Sequence, residues 1–251
     1  MPPAQRIAVV TGASSGIGAA TARVLVANGF QVVLGARRLD RLEEVAKEAG
    51  GVALQLDVGD LDSIQRFTAE VEKRFGMCHV LVNNAGLALG LSAVADTSDS
   101  DWQGMLEINV LGLLRMTRAM LPLLRSAPAA HIVNLGSIAS FEVYRGGAGY
   151  AASKHAVRAI SRTLRIELNG EPIRVTEIDP GMVETEFSLV RFRGDADAAA
   201  DVYKGLRPLT GEDVAECIAF AVTRPPHVDI DEMVIRPLAQ ANSFTVHRET
   251  G

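Results

Sequence analysis

Seven short apolar runs recur along the chain, each handing over to a longer stretch of helical periodicity, and this alternation restricts the fold more than any other feature. The runs are IAVVT (7–11), QVVLG (31–35), VALQL (52–56), HVLVN (79–83), HIVNLG (131–136), IRVTEI (173–178) and EMVIRP (232–237). Runs this short, rich in β-branched residues, suit strands buried on both faces. Between them lie amphipathic stretches such as RLEEVAKEA, SIQRFTAEVEKRF and the long GYAASKHAVRAISRTLRIELNG, each able to form a crossover helix. Strand and helix in alternation predict an α/β fold: a single doubly wound Rossmann-type domain with a seven-stranded, mainly parallel sheet and helices on both faces. With no linker, repeat or low-complexity tract, residues 1–251 read as one domain, and a composition of 48% hydrophobic residues supplies its core. Two stretches are less regular, 86–104 and 180–209. Long irregular segments commonly cover sites, and 180–209 is expected to be a substrate lid.

Charge and cysteine usage exclude several classes of function. The net charge is −5 and the basic residues are scattered, so the electrostatic footprint of a nucleic-acid binder is missing. No apolar stretch approaches the roughly 18–20 residues that span a bilayer, and the opening MPPAQRIAVV has no signal-peptide pattern. Cys78 and Cys217 form neither a disulfide framework nor a metal-ligand spacing. A cytoplasmic protein without a metal, a nucleic-acid partner or a membrane is the expectation.

The first chemical motif is TGASSGIG, Thr11 to Gly18, where the first strand should meet the first helix. Glycines at 12, 16 and 18 permit a tight turn and let the backbone approach a pyrophosphate, and the N-terminal amides of the helix then face its charge. The spacing is GxxxGxG, not GxGxxG, and glycines also mark ordinary turns. The second strand of a dinucleotide fold usually offers an acid to the adenosine ribose about 20 residues past the glycines. Here 37 − 18 = 19 leads to Arg37, followed by Arg38, with no carboxylate at 35–38. A guanidinium fork suits a 2′-phosphate, which predicts NADP(H) as cofactor. The competing reading is a solvated helix start, but cations there oppose the helix dipole. Asp57, at the end of the third strand, is placed to meet the adenine edge or to cap the following helix.

The catalytic candidates are Tyr150 and Lys154 in YAASK, four apart and therefore on one helix face. A phenol is a poor base near neutrality, but a nearby ammonium and a cationic nicotinamide favour the phenolate. Ser137 in NLGSIAS is placed to hydrogen-bond the substrate oxygen, and Asn109 in LEINVLG to hold a water connecting Lys154 to solvent. Singly each fits a structural role; together and in this order they point to proton transfer at a carbinol carbon.

These motifs resemble those of the short-chain dehydrogenase/reductase family from end to end. TGASSGIG matches its cofactor loop, NNAG (83–86) the turn after its fourth strand, and Asn109, Ser137, Tyr150 and Lys154 its catalytic tetrad. DPGMVETEF (179–187) is similar to the segment that meets the nicotinamide carboxamide, one residue shorter than the family pattern. The resemblance implies cofactor contacts from Gly12, Ser14, Ser15, Gly16, Ile17 and Gly18, from Arg37, Arg38, Asp57 and Val58, from Asn84, Ala85 and Gly86, from Tyr150 and Lys154, and from Pro180, Gly181, Val183 and Thr185. LVNNAGLALG, TEFSLVRFRGDADAA and the terminal VHRETG are similar to the bacterial NADP-dependent dehydrogenases of L-allo-threonine, serine and related 3-hydroxy acids. That subgroup implies reversible hydride transfer at C3 of a small hydroxy acid, including malonic semialdehyde reduction.

A hydroxy acid needs a cation for its carboxylate. Arg191 and Arg193 in the expected lid and Arg145 beside the active-site strand are the candidates. The competing functions are reduction of another small ketone or aldehyde, reduction of a 3-oxoacyl carrier protein, which favours a basic docking patch not evident here, and a non-catalytic cofactor sensor, which has no need of Tyr150 with Lys154. The family also implies a homotetramer built on helices near 105–124 and 150–169, where Leu113, Leu114, Ala156 and Ile160 face either a partner subunit or the chain's own sheet. The tail, 240–251, is expected to lie on a neighbouring subunit.

Overall fold

Each of the seven apolar runs forms a strand: β1 (Arg6–Thr11), β2 (Phe30–Ala36), β3 (Val52–Gln55), β4 (Val80–Asn83), β5 (Ala130–Leu135), β6 (Ile173–Pro180) and β7 (Glu232–Ile235). The computed structural model describes residues 5–249. Residues 1–4, where the chain was read as leaderless, and residues 250–251 of the expected tail lie outside them. The strands form one sheet in the order β3-β2-β1-β4-β5-β6-β7. Every pairing is parallel, so the expected mainly parallel sheet is wholly so. Parallel strands need covered faces, which explains their near-continuous apolar sequences.

Side-chain alternation divides the core into two layers. From β1, Ile7 and Val9 join Val33, Phe67, Met116, Met120 and Leu164 on one face. Ala8 and Val10 join Leu34, Leu25, Val214 and Ile218 on the other. The helices that precede β6 are α1 (Gly16–Ala27), α2 (Leu39–Ala49), α3 (Leu61–Phe75), α4 (Asp99–Leu106), α5 (Leu113–Arg125) and α6 (Ala148–Glu167). The irregular stretch 180–209 holds two short helices, α7 (Phe187–Arg191) and α8 (Ala196–Asp201), and α9 (Gly211–Val222) follows. Between α4 and α5 the chain makes a π-helical turn over Glu107–Gly112, so the helix expected at 105–124 is one rod interrupted at Asn109. Among the described residues no helix is long and apolar enough to cross a membrane, and no cluster of metal-ligating side chains is present.

The described part of the tail has partners in its own chain: Gln240 pairs with Val246 in an antiparallel bridge, and Ser243 donates twice to Glu142, from N and Oγ, at 2.7 Å each. Arg248 donates to the Val202 carbonyl at 3.0 Å, and Glu249 N donates to that of Gly205 at 2.7 Å. Local polar partners, not apolar surface, decide where this segment lies.

Candidate active site

The sheet order reverses direction between β1 and β4, and the loops after β1, β4, β5 and β6 open there into one cavity of about 600 Å³. Crevices at such switch points are where α/β sheets bind ligands. The first loop turns through Gly12 and Gly16, whose φ values of 66° and 53° belong to the left-handed region. A Cβ at Gly18 would lie 2.5 Å from both Asn84 Nδ2 and the Gly12 carbonyl, so its glycine is required for packing beneath the loop. Helix α1 begins without a side-chain cap and without an acid in its first turn, leaving its N-terminal amides and positive dipole end facing the cavity.

Asn84 holds this loop in place. Its Nδ2 donates to the carbonyls of Thr11 (2.8 Å) and Gly12 (3.2 Å), while Thr11 Oγ1 accepts the amides of Asn84 and Ala85 at 3.0 Å each. Arg37 and Arg38 stand at the end of β2 on the cavity wall, both exposed. Arg38 donates to Ser14 (3.2 Å), Ser15 (2.9 Å) and Glu186 (2.9 Å), and Arg41 also pairs with Glu186 at 2.6 Å. Asp57 accepts the Gly59 amide at 2.9 Å; the cap of α3 is Asp60, which accepts from Asp62 N at 3.0 Å. The capping alternative for Asp57 is thereby displaced by Asp60, and Asp57 faces the cavity beside Val58.

At the other end of the cavity, Tyr150 and Lys154 project from the first turns of α6. Lys154 is buried, its Nζ donating to the Leu135 carbonyl at 2.6 Å and lying 5.8 Å from the Tyr150 ring centre. Burial lowers its ammonium to about 8, opposed by the charges of Asp179 and Glu177. The Tyr150 phenol is raised above its usual value by burial, against which the Arg191 charge and a hydrogen bond from Ser137 work. The Arg191 charge is the largest influence lowering the phenol.

Ser137 follows β5 in extended conformation, its amide bound to Asp179 Oδ1 at 2.8 Å and to Ser140 Oγ at 3.1 Å. Asn109 sits in the π turn, a distortion common at functional sites. It accepts the Leu87 amide (2.8 Å) and donates to the Leu87 carbonyl (2.8 Å) and Ser153 Oγ (2.9 Å). Both amide protons are committed, so the side chain clamps the Gly86–Leu87 loop, and the expected water-holding role falls back to one lone pair of Oδ1. Thr185 crosses the cleft above Gly16 and lines the cavity with Pro180, Gly181 and Val183.

The three arginine candidates separate. Arg191 lines the cavity, donates to Tyr144 Oη at 2.5 Å and lies 5.7, 5.2 and 5.5 Å from the ring centres of Tyr144, Tyr150 and Phe187. Its Nε is buried without a partner. Arg145 stands exposed on the cavity wall. Arg193 does not reach the cavity: its φ of 54° turns the chain outward, and it pairs with Asp101 at 2.8 Å. It is withdrawn as a substrate ligand.

With this geometry established, residues 6–194 match the family described as short chain dehydrogenase. The chain belongs to that family. Among its relatives, an uncharacterized oxidoreductase of Mycobacterium tuberculosis is 54% identical over 95% of this chain and 94% of its own. The NADP-dependent 3-hydroxy acid dehydrogenase of Schizosaccharomyces pombe is 44% identical over 96% of each chain. The closed form of a serine dehydrogenase complexed with NADP+ superposes with a TM-score of 0.91 at 40% identity, covering 97% of this chain and 100% of that one. This short-chain dehydrogenase is therefore an oxidoreductase of the Rossmann type. Sequence reasoning missed Tyr144 and Phe187, which cage Arg191, and Glu186, which occupies Arg38. Glu186 lies within the ETEF segment already singled out, but nothing in its spacing marks its partner.

Proposed function

We propose that this enzyme is an NADP(H)-dependent dehydrogenase of small 3-hydroxy acids, acting at the C3 carbinol or carbonyl of substrates such as serine, L-allo-threonine or 3-hydroxypropionate. The single observation that carries the substrate class is Arg191, a guanidinium on the cavity wall held 5.2 Å from the Tyr150 ring centre. A carboxylate two bonds from the reacting carbon is a ligand this cation can hold while leaving C3 beside the phenol. The two relatives named for 3-hydroxy acid and serine oxidation support the same reading.

The residues fit a dinucleotide. The side-chain-free cradle of Gly12, Gly16 and Gly18 and the uncapped start of α1 suit a pyrophosphate, and Arg37 and Arg38 with the Ser14 and Ser15 hydroxyls suit a 2′-phosphate. Asp57, Val58, Ala85 and Gly86 wall the adenosine and ribose side, and Pro180 to Thr185 the nicotinamide side. When bound, the nicotinamide accepts or supplies the hydride. Tyr150 takes the hydroxyl proton in oxidation and gives it back in reduction. Ser137 donates a hydrogen bond to the reacting oxygen, and Lys154 holds a positive charge beneath the phenol. The 180–209 segment closes over the cleft and brings Arg191 to the substrate.

Arg191→Ala tests this reading. The kcat/KM for a 3-hydroxy acid should fall about 10- to 100-fold more than that for a neutral secondary alcohol of similar size, the worth of a charge-assisted hydrogen bond. Equal losses on both substrates would leave Arg191 as a partner of Tyr150 alone and remove the basis for the acid specificity.

A further inference from the structure

Strand β6 ends in TEIDP, and its alternation puts Glu177 and Asp179 on one face. Both residues are 0% exposed. They converge under Gly136, where a Cβ would lie 2.1 Å from Asp179 Oδ1, 2.6 Å from Glu177 Oε1 and 2.9 Å from Ser140 Oγ. Only glycine at 136 lets the two carboxyls meet there. Asp179 Oδ1 accepts the Ser137 amide at 2.8 Å, but neither oxygen of Glu177, nor Asp179 Oδ2, has a hydrogen-bond partner.

Two ionised carboxylates meeting away from water repel each other and are left unsolvated. A single proton cures both defects, because a neutral carboxyl donates to its charged neighbour. The surrounding cations do not bond the free carboxyl oxygens. On α6, Lys154 donates to the Leu135 carbonyl and Arg158 Nη2 to Glu232 of β7, at 2.6 Å each; Arg158 Nη1 is buried without a partner, and its charge favours ionisation of Asp179 without bonding it. Ser161 gives its proton to the Val157 carbonyl and accepts from Asn134 of β5. Ser140 and Ser161 lie near enough to favour ionisation of Glu177, yet neither is aligned to bond it. Burial raises both carboxyls above the ordinary range, and the Asp179 charge raises Glu177 further.

We propose that Glu177 and Asp179 form a carboxyl–carboxylate pair with one proton, held on Glu177, and that the pair positions the catalytic centre: Asp179 fixes Ser137 through its amide, and its negative charge keeps Lys154 protonated. Glu177 and Asp179 are positioning residues, since neither lines the cavity. The inference rests on the reading of Tyr150 and Lys154 as the proton-handling pair.

The sign of the effect follows from the neighbours. The Asp179 charge raises both the Lys154 ammonium and the Tyr150 phenol. Because Glu177 can ionise once the Asp179 charge is gone, Asp179→Asn is made in a Glu177→Gln background, where no carboxyl of the pair remains; both groups then lose their protons at lower pH. In the carbonyl-reducing direction, which needs a protonated Tyr150 and a charged Lys154, the alkaline limb of the kcat profile should move to lower pH by on the order of one unit. Glu177→Gln replaces a neutral carboxyl with a neutral amide and should leave that limb in place. A limb of the Glu177→Gln/Asp179→Asn double variant at the wild-type position would overturn the proposal. The wild-type protein offers a second measurement independent of variant folding: its infrared spectrum at neutral pH should contain the C=O stretch of a protonated buried carboxyl, and its absence would equally overturn the proposal. Tyr150→Phe, assayed in parallel, separates the two readings. Full turnover there would refute the role of Tyr150 while leaving the infrared band as it is.

Discussion

The two ends of the cleft both depend on arginine, and they use it in opposite ways. At the adenosine end, the Arg38 and Arg41 side chains are 45% and 49% exposed and share Glu186, itself 38% exposed. Ion pairs this wet contribute about 0–1 kcal/mol and exchange partners readily. Glu186 thus behaves as a stand-in for a phosphate, surrendered when a dianion with more acceptors arrives. At the reaction end, Arg191 is held among three aromatic rings and Lys154 is buried against one carbonyl. A charge added or removed there moves the proton affinity of Tyr150 directly, because little water remains to screen it. On the proposed reading, the exposed end selects which cofactor enters, and the buried end sets what is done with it.

The largest effect expected is at the buried end. Tyr150→Phe should lower kcat by about 10³-fold, the scale of a lost general acid–base, with NADPH affinity changed less than about threefold; steady-state kinetics and fluorescence titration read the two separately. If affinity falls as steeply as kcat, the division between the two ends fails. Next, Arg37→Asp at the exposed end should raise the KM for NADPH by about 10- to 100-fold through loss of a phosphate contact and new repulsion, with the KM for NADH nearly unchanged. Parallel changes for both cofactors would return Arg37 to a solvated helix start. The smallest effect concerns Glu186. Glu186→Gln should tighten NADPH by about two- to fivefold and leave NADH unaffected, since it frees Arg38 from an exposed pair; weaker NADPH binding in calorimetry would mean that Glu186 organises the site and does not compete for it.

The sheet was legible because strands buried on both faces carry few polar residues to disguise them, as VVLG shows. Tyr150 and Lys154 were legible for a related reason: a spacing of four fixes them on one helix face whatever surrounds them. The lid resisted because its outcome turns on single backbone choices. Arg191 and Arg193 are two residues apart in one segment, yet the left-handed turn at Arg193 sends one into an aromatic cage and the other to Asp101. The Glu177–Asp179 pair shows the limit from another side. Strand periodicity places the two carboxyls on one face, but only the absence of a side chain at Gly136 discloses that they meet. The tail's own-chain anchors, Glu142 and the carbonyls of 202–205, were not legible because they lie far from it in sequence.

The most direct test is a matrix of initial rates for L-serine, L-allo-threonine, 3-hydroxypropionate and a neutral secondary alcohol, each with NADP+ and with NAD+, read at the absorbance of the reduced nicotinamide. Arg191 at one end and Arg37 with Arg38 at the other predict that kcat/KM is highest for the acids with NADP+ and falls when either the carboxylate or the 2′-phosphate is removed. Faster turnover of the neutral alcohol, or equal rates with NAD+, would contradict the account.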